Sequence, residues 1–195
     1  MLFRSLCARS DGKASWQRLA HNSGKAEAVR QGLLRALDDG AAVVGYLDAD
    51  LSTPVSEAVR LAAELAQQPE VQVALGSRIR LLGSQLQRTP ARHYLGRVFA
   101  TAASLTLGLP VYDTQCGAKL FRKSPELVQA LATPFSSRWA FDVELLGRLL
   151  RLGIRTEAFL EVPLRSWRDV GGSKLRPLAM ARAAWDLLNI QRRLP

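Results

Sequence analysis

An apolar run ends in two aspartates in the stretch Ala41-Ala42-Val43-Val44-Gly45-Tyr46-Leu47-Asp48-Ala49-Asp50. Its β-branched and aromatic residues predict a buried parallel strand. In open α/β sheets ligands bind beyond the carboxyl ends of the strands, and side chains two residues apart share a face. Asp48 and Asp50 are therefore expected to converge there, where two carboxylates suit a divalent cation that also holds substrate phosphates. The alternative is that the aspartates end the strand and cap the next helix.

Helices and strands alternate on both sides of this stretch. Hydrophobic periodicity predicts helices over residues 24–37, 54–67, 90–107, 125–131, 139–152 and 177–193, and strands over residues 41–47, 71–75, 116–121 and 154–162. Three helix starts, Thr53-Pro54, Thr89-Pro90 and Ser124-Pro125, combine an N-cap residue with a proline in the first turn. This alternation predicts an α/β sheet in a single domain over residues 1–195.

The composition is that of a globular protein with a basic balance. The chain has 195 residues, 48% of them hydrophobic, and a net charge of +10, which favours anionic partners. No nucleic-acid motif accompanies the charge, so nucleic acid is not an expected partner. Two distant cysteines favour neither zinc nor a disulfide framework and indicate a reducing compartment. With no run of about 20 apolar residues for a spanning helix and no signal peptide, the expected location is cytoplasmic, peripheral to the membrane.

A series of motifs resembles one enzyme family. In chain order they are Asn22-Ser23-Gly24-Lys25-Ala26-Glu27-Ala28-Val29-Arg30-Gln31-Gly32, Leu47-Asp48-Ala49-Asp50, Gly76-Ser77-Arg78, Asp113-Thr114-Gln115-Cys116-Gly117-Ala118-Lys119-Leu120-Phe121, Arg138-Trp139-Ala140-Phe141-Asp142-Val143-Glu144-Leu145 and Gly172-Ser173-Lys174-Leu175. They resemble family 2 glycosyltransferases of the GT-A fold, closest to the dolichyl- and polyprenyl-phosphate β-glucosyltransferases, which are similar to dolichyl-phosphate mannosyltransferases. The resemblance covers about residues 22–190 of the sequence.

The resemblance implies a Rossmann-like sheet of the nucleotide-diphospho-sugar transferase type. It implies a metal-dependent hexosyltransferase that moves a hexose, glucose in the closest branch, to a polyprenyl or dolichyl phosphate at the membrane surface. The donor would be a nucleotide sugar of the UDP-glucose or GDP-mannose type. The cofactor would be Mg²⁺ or Mn²⁺, which neutralises charge on the leaving diphosphate.

The resemblance also assigns the donor side of the site. Asp50 and Asp48 are expected to bind the metal and the donor diphosphate. The alternative is that Asp48 contacts the donor's ribose or sugar while Asp50 holds the metal. Gly24 and Lys25 open a helix whose free N–H groups, with the lysine, could meet phosphate, although a solvent-facing helix start is the alternative. Gln115 and Gly117 are expected to shape the sugar pocket. Between them Cys116 is expected to be a buried small side chain, because no histidine-paired arrangement accompanies it.

The acceptor phosphate is assigned to Arg78, Arg92 and Lys174. Arg92 falls in a first helical turn, where its fork can meet phosphate oxygens bidentately; a solvated basic face is the alternative. Asp142 completes the predicted catalytic set of Asp48, Asp50 and Asp142. A phosphate nucleophile is already an anion near pH 7, so Asp142 is expected to orient donor or acceptor, with helix capping as the alternative.

Contact with the membrane is expected from the basic region over residues 78–97 and from the predicted helix Pro177–Arg193. That helix places Trp185, Leu187, Leu188 and Ile190 among arginines, a pattern typical of interfacial helices. The alternative is that the helix packs on the sheet.

One departure from the family pattern concerns the start of the chain. Family members open with an apolar strand ending in a Val-Pro-x-Tyr-Asn-Glu-like motif, and a second strand and a base-binding aspartate follow. Here about twenty atypical residues precede Asn22. The sequence therefore predicts an N-terminally truncated GT-A sheet with exposed edges. The alternative function is an inactive remnant or binding module that lacks half of the nucleotide pocket.

Overall fold

A computed structural model describes residues 13–87, 90–169 and 185–192, with the backbone alone described for residues 87 and 90–95. The elements in chain order are α1 (Lys25–Asp38), β1 (Val43–Leu47), α2 (Val55–Gln67), β2 (Val73–Ser77), β3 (Gln85–Gln87), α3 (Pro90–Leu107), β4 (Ala118–Arg122), α4 (Pro125–Leu131), α5 (Phe141–Arg151), a 3-10 turn (Thr156–Ala158), β5 (Phe159–Pro163) and β6 (Ser166–Arg168). Residues 185–192 form a further helix, α6. The predicted α/β class is confirmed.

The main sheet has four strands in the order β1-β4-β2-β5, and β3 pairs with β6 in a second, two-stranded sheet. β4 runs antiparallel to β1 and to β2, whereas β2 and β5 are parallel. The prediction of a buried parallel strand is therefore wrong for β1, because its neighbour β4 runs in the opposite direction. Within the residues that the structure describes, β1 is an edge strand, and Val43 is exposed while Val44 is buried.

Helices cover both faces of the main sheet. α1, α4 and α5 pack on one face, where Leu37, Leu131 and Leu145 meet Val73 and Leu75 of β2 in the largest buried cluster. α2 covers the opposite face, where its Leu65 packs with Ala74. Adjacent strand residues such as Ala74 and Leu75 point to opposite faces, so a three-layer arrangement of helices, sheet and helix follows.

A smaller cluster joins α3, α6 and the start of α5. Ala103 of α3, Val143 of α5, and Leu187 and Ile190 of α6 are buried together in it. The membrane prediction for Leu187 and Ile190 is therefore wrong, since both side chains are used to dock α6. None of the helices in the described part of the chain is long and apolar enough to cross a bilayer.

Two of the three proline-containing helix starts can be compared with their predictions. Ser124 is a true N-cap, since its Oγ accepts a hydrogen bond of 3.1 Å from the backbone N–H of Leu127. The prediction for Thr53 is wrong, because α2 begins one residue later than expected and the N-cap position falls on Pro54. The buried Thr53 hydroxyl finds no hydrogen-bond partner in the described part of the chain. Thr89 lies outside the described residues.

Candidate active site

The two predicted aspartates lie in a turn directly after β1. The backbone N–H of Asp48 donates to the carbonyl of Gly117 over 2.9 Å, and the N–H of Leu51 donates to the carbonyl of Asp48 over 3.0 Å. Asp50 accepts a hydrogen bond of 2.9 Å from the N–H of Ser52. Leu51 has a φ of 53°, a left-handed conformation that costs a residue with a side chain about 1–2 kcal/mol. Strain of this kind concentrates at functional sites.

Gly117 makes room for the carboxylate of Asp48. A Cβ atom at position 117 would lie 2.6 Å from Oδ1 of Asp48 and closer still to its Cγ and Oδ2. No real Cβ tolerates such an approach, so any side chain here must displace the carboxylate. Gly117 was predicted to shape a sugar pocket; in the structure it fixes the place of Asp48 through this close approach and through its carbonyl.

Lys25 contacts the same carboxylate. Its ammonium donates to Oδ1 of Asp48 and lies 5.6 Å from the ring centroid of Phe141. The preceding Gly24 has a φ of +85°, which glycine adopts without strain, and α1 begins immediately after it. The structure thus brings together Gly24, Lys25 and Asp48, three residues that the sequence assigned to the donor.

The carboxylates of Asp48 and Asp50 fit a hard divalent cation that is shared with a ligand. A groove of about 590 Å³ runs between α1 and β1, and its lining includes Lys25, Tyr46, Asp48 and Asp50. Among the described residues there is no group of three or more His, Cys, Asp or Glu side chains that could hold a metal alone. Mg²⁺ typically takes one or two carboxylates and completes its shell with water and substrate phosphates. Two aspartates beside an open groove satisfy that requirement.

A buried polar network lies behind this turn. Nζ of Lys119, on β4, donates to Oδ1 of Asp142 over 2.6 Å and to the carbonyl of Cys116 over 2.5 Å. The hydroxyl of Tyr46 donates to the same Asp142 oxygen. Burial and the charge of Asp142 raise the pKa of Tyr46 well above its usual value, so the phenol keeps its proton. Asp142, predicted to orient a substrate, is buried and joins β1, β4 and α5 from within.

Arg78 is held by a carboxylate that the sequence had not paired with it. Its Nε and Nη2 bind the two oxygens of Asp113 at 2.6 and 2.8 Å, and its backbone N–H donates to the same group. Burial alone would raise the pKa of Asp113, but the Arg78 guanidinium outweighs it and lowers the pKa to about 2. Burial would likewise lower the pKa of Arg78, yet the charge of Asp113, and further off that of Asp48, raise it. Arg78 is therefore fully charged and rigidly placed near the aspartate turn.

The segment before Gly117 is clamped from two sides. Glu161 of β5 accepts hydrogen bonds from the backbone N–H groups of Tyr112 and Asp113, at 2.8 and 2.7 Å. Arg97 of α3 donates to the carbonyl of Tyr112 over 2.8 Å and lies 3.5 Å above its ring. Cys116 is fully buried, and burial raises the pKa of its thiol to about 11. That environment agrees with the predicted role of Cys116 as a small packing residue.

The other predicted site residues divide into two groups. Gln115 lies in the clamped segment, where its backbone N–H donates to Asp113 over 3.1 Å. Its buried Nε2 has no hydrogen-bond partner among the residues that the structure describes. An unpaired buried amide of this kind calls for a water or a ligand. Arg92 lies in the first turn of α3, but its side chain is outside the described atoms, and Lys174 is outside the described residues. The structure therefore places Gln115 near the site and gives no position to the other two side chains.

Sequence reasoning gave no role to three residues that support the site, Asp113, Lys119 and Glu161, although Asp113 and Lys119 lie within a family motif. Lys119 carried a usable signal, because a lysine in the middle of an apolar strand must find a buried carboxylate. Asp113 and Glu161 carried none, since their partners are 35 residues or more away in the chain.

Comparison with known proteins gives the family. The glycosyl transferase family 2 model matches residues 3–127. A dolichyl-phosphate beta-glucosyltransferase of Trichomonas vaginalis is 32% identical over 174 residues, which are 87% of this chain and 49% of that protein. The human protein of the same name is 31% identical over 189 residues, which are 90% of this chain and 53% of that protein. The chain thus spans about half the length of the curated relatives it matches.

Solved structures give the fold. Glucosyl-3-phosphoglycerate synthase from Mycobacterium tuberculosis, in complex with Mn²⁺ and UDP-glucose, matches with a TM-score of 0.60 at 20% identity, over 89% of this chain and 56% of that one. Its complex with UDP matches with a TM-score of 0.56 at 22% identity, over 87% and 55%. The predicted GT-A fold is confirmed by these neighbours. With the family model matching well over half of its residues, the chain belongs to glycosyl transferase family 2.

Proposed function

We propose that this chain carries the catalytic site of a glucosyltransferase that moves glucose from a nucleoside diphosphate sugar to a dolichyl or other polyprenyl phosphate. The observation that carries the proposal is the Asp48–Asp50 turn, which is cradled by Gly117 and faced by the ammonium of Lys25. The names of the relatives, which are dolichyl-phosphate beta-glucosyltransferases, support the choice of sugar and acceptor. The complexes of the solved neighbour support UDP-glucose as donor.

On the donor side, the chain supplies carboxylates, an ammonium and a fixed backbone. Asp50 and Asp48 would hold Mg²⁺ or Mn²⁺, which when bound neutralises charge on the leaving diphosphate. Lys25 is within reach of the same diphosphate, because its long stem starts at the first residue of α1. Gln115, whose Nε2 has no partner within residues 13–87, 90–169 and 185–192, is a candidate for contact with the sugar.

On the acceptor side, positive charge meets a nucleophile that needs no general base. A phosphate monoester is already an anion near pH 7, so its oxygen requires orientation rather than proton removal. Arg78, held by Asp113 through Nε and Nη2, can offer its remaining nitrogen to that phosphate. Arg92 and Lys174 are proposed as further contacts. Asp142 acts indirectly, by fixing Tyr46 and Lys119 behind the aspartate turn.

A lipid acceptor requires contact with a membrane surface, and exposed apolar side chains indicate where. Trp139, Trp185 and Leu188 have 52%, 60% and 48% of their surface exposed. They lie beside the cluster that joins α3, α5 and α6. Aromatic and aliphatic side chains of this kind enter the interfacial region of a bilayer. Co-sedimentation with anionic vesicles should be lost in a Trp139→Ser/Trp185→Ser variant, and equal binding of the parent and this variant would remove the surface from the proposal.

Calorimetry with UDP and Mn²⁺ tests the donor site. The parent chain is expected to bind UDP in the presence of Mn²⁺, and Asp50→Ala is expected to abolish the heat of binding. Asp39→Asn is the matched control, because Asp39 is an exposed carboxylate just after α1 that is paired with Arg35. Equal binding by the parent and by Asp50→Ala would remove Asp50 from the site.

A second candidate function is a binding module that keeps the acceptor surface without binding the donor. The position of β1 favours it, because within the described residues the aspartate turn follows an edge strand that pairs with β4 alone. The same calorimetry separates the candidates. Vesicle binding without UDP binding, at millimolar UDP with Mn²⁺, would support the module and contradict the transferase.

A further inference from the structure

The ammonium of Lys25 occupies a position at Asp48 that a metal ion would also use. It contacts Oδ1 of Asp48, whose side chain has 27% of its surface exposed, while the lysine side chain has 49% exposed. Asp50 is held differently, by the backbone N–H of Ser52. Asp48 therefore already has a cationic partner within the chain. A divalent ion that binds both aspartates must either displace this ammonium or lie against it.

The Lys25 ammonium and a divalent ion repel each other substantially when both lie against the Asp48 carboxylate. Charges interact in proportion to their product and inversely with distance, and a partly buried position screens them less than bulk water does. A diphosphate changes this balance, because its oxygens can accept the ammonium while they also complete the metal's coordination shell. Lysine suits such an exchange, since its four-carbon stem lets a point charge move between neighbouring partners.

We propose that Lys25 couples metal binding to diphosphate binding. Without nucleotide, its ammonium neutralises Asp48 and competes with the divalent ion. When a nucleoside diphosphate enters, the ammonium moves to a phosphate oxygen and Asp48 becomes available to the metal. The metal is then bound tightly only when the diphosphate is present. The inference rests on the proposed function, because it takes Asp48 and Asp50 as the metal and diphosphate site.

The test measures free Mn²⁺ by electron paramagnetic resonance, with and without saturating UDP. Lys25→Met keeps the length of the side chain and removes its charge. This variant is expected to bind Mn²⁺ about tenfold more tightly than the parent in the absence of UDP, a size typical of coupling between sites. The factor by which UDP tightens Mn²⁺ binding should fall about tenfold as well. Lys25→Arg keeps the charge and should keep most of the coupling.

Lys123→Met is the matched control. Its ammonium donates to the carbonyl of Leu37 over 3.1 Å, at the far end of α1 from Lys25. The control loses the same charge beside the same helix, so it corrects for a general electrostatic effect on Mn²⁺. It is expected to leave both Mn²⁺ affinities within about twofold of the parent, since screening weakens exposed charges over about 10 Å.

The outcomes separate the inference from the proposed function. If the parent binds Mn²⁺ with UDP, and Lys25→Met shows unchanged or weaker Mn²⁺ binding without UDP, the coupling role is wrong and the site stands. If the parent binds neither Mn²⁺ nor UDP, the site and the coupling role are both wrong. Lys25→Gln, a second neutral variant, must behave like Lys25→Met, and each variant must keep the near-ultraviolet circular dichroism of the parent.

Discussion

A single methyl group at Gly117 should displace Asp48. Gly117→Ala places a Cβ atom 2.6 Å from Oδ1 of Asp48 and nearer to Cγ and Oδ2. Gly117 is not among the described glycines with a positive φ, so an alanine backbone is not strained there and the collision is the dominant effect. The carboxylate is the end of a side chain that is 27% exposed and can turn towards the groove, so we expect a cost at the lower end of the about 1–3 kcal/mol that overpacking by one carbon causes. We expect a loss of unfolding free energy in that range, together with a loss of UDP binding.

A double-mutant cycle isolates this collision. Unfolding by urea is measured for the parent, Gly117→Ala, Asp48→Ala and the double variant. Asp48→Ala removes the three atoms that the new methyl group would meet, and its ion pair with Lys25 is partly exposed, worth about 0–1 kcal/mol. The cost of Gly117→Ala should therefore fall below about 1 kcal/mol in the Asp48→Ala background, a coupling of the size seen for residues in contact.

Gly32→Ala is the control for adding a methyl group to this chain. Gly32 lies within α1, and a Cβ atom there would meet nothing within 4 Å. Alanine is favoured over glycine in a helix by about 1 kcal/mol, so this variant should be more stable than the parent. Refutation would come from a Gly117→Ala cost that is the same with and without the Asp48 carboxylate. In that case Gly117 would serve the loop rather than the aspartate.

Three further predictions concern buried groups. Lys119→Met leaves the Asp142 carboxylate buried without its ion pair and should cost about 3–5 kcal/mol of unfolding free energy. The double variant Lys119→Met/Asp142→Asn should recover part of the lost stability. A double variant no more stable than Lys119→Met would contradict the pairing. The pKa of Asp113 is lowered from 3.8 to about 2 in the folded chain. Its pairing with Arg78 therefore stabilises the fold at any pH above the pKa of this carboxyl in the unfolded chain. About 2 kcal/mol of stability should be lost as the pH falls through about 2. Asp113→Asn should lack this acid-dependent loss, and an identical pH profile would exclude Asp113 as its source. Cys116 is fully buried, and the pKa of its thiol is raised to about 11. In a Cys7→Ser background, Cys116 should therefore resist a thiol reagent at pH 8 until the chain unfolds. Rapid labelling of the folded chain would show instead that the segment around Cys116 opens.

The sequence was sufficient where local chemistry dominates. The helix that starts at Lys25, the strand that ends at Leu47 and the Ser124 cap each follow from periodicity or from one side-chain hydrogen bond. The short strands β3 and β6 were not predicted. Each has three residues, which is too short for an alternating pattern, and they exist because they pair with each other. Strand direction was also out of reach, since the antiparallel position of β4 depends on the path of the whole chain.

The basic charge predicted an anionic partner, but in the structure several of the positive side chains bind backbone carbonyls within the fold. Arg122 donates to the carbonyl of Leu65 in the last turn of α2 and to that of Val71 just beyond it. Arg148 donates to the carbonyls of Ala130 and Thr133 near the end of α4. Cations at helix ends satisfy orphan carbonyls and oppose the negative end of the dipole. Part of the net charge of +10 is thus used within the fold and carries no information about a partner.

The candidate site likewise contains residues that local patterns predict and residues that only long-range packing places. Asp48, Asp50, Gly24 and Lys25 were accessible because motif residues adjoin a predicted strand end or helix start. The support for the site was not accessible, because Asp142 reaches Tyr46 across 96 positions of the chain and Glu161 reaches Asp113 across 48. Long-range polar contacts of this kind are fixed by packing, which no local pattern encodes.

The proposed function is tested most directly by glucose transfer. The chain is incubated with radiolabelled UDP-glucose, Mn²⁺ and a polyprenyl phosphate in detergent, and label is counted in the lipid extract for the parent, Asp50→Ala and the control Asp39→Asn. We predict labelled lipid with the parent and with Asp39→Asn, and none above background with Asp50→Ala. Absence of labelled lipid from a parent chain that binds UDP under the same conditions, or equal label from Asp50→Ala, would contradict a transferase site at the Asp48–Asp50 turn.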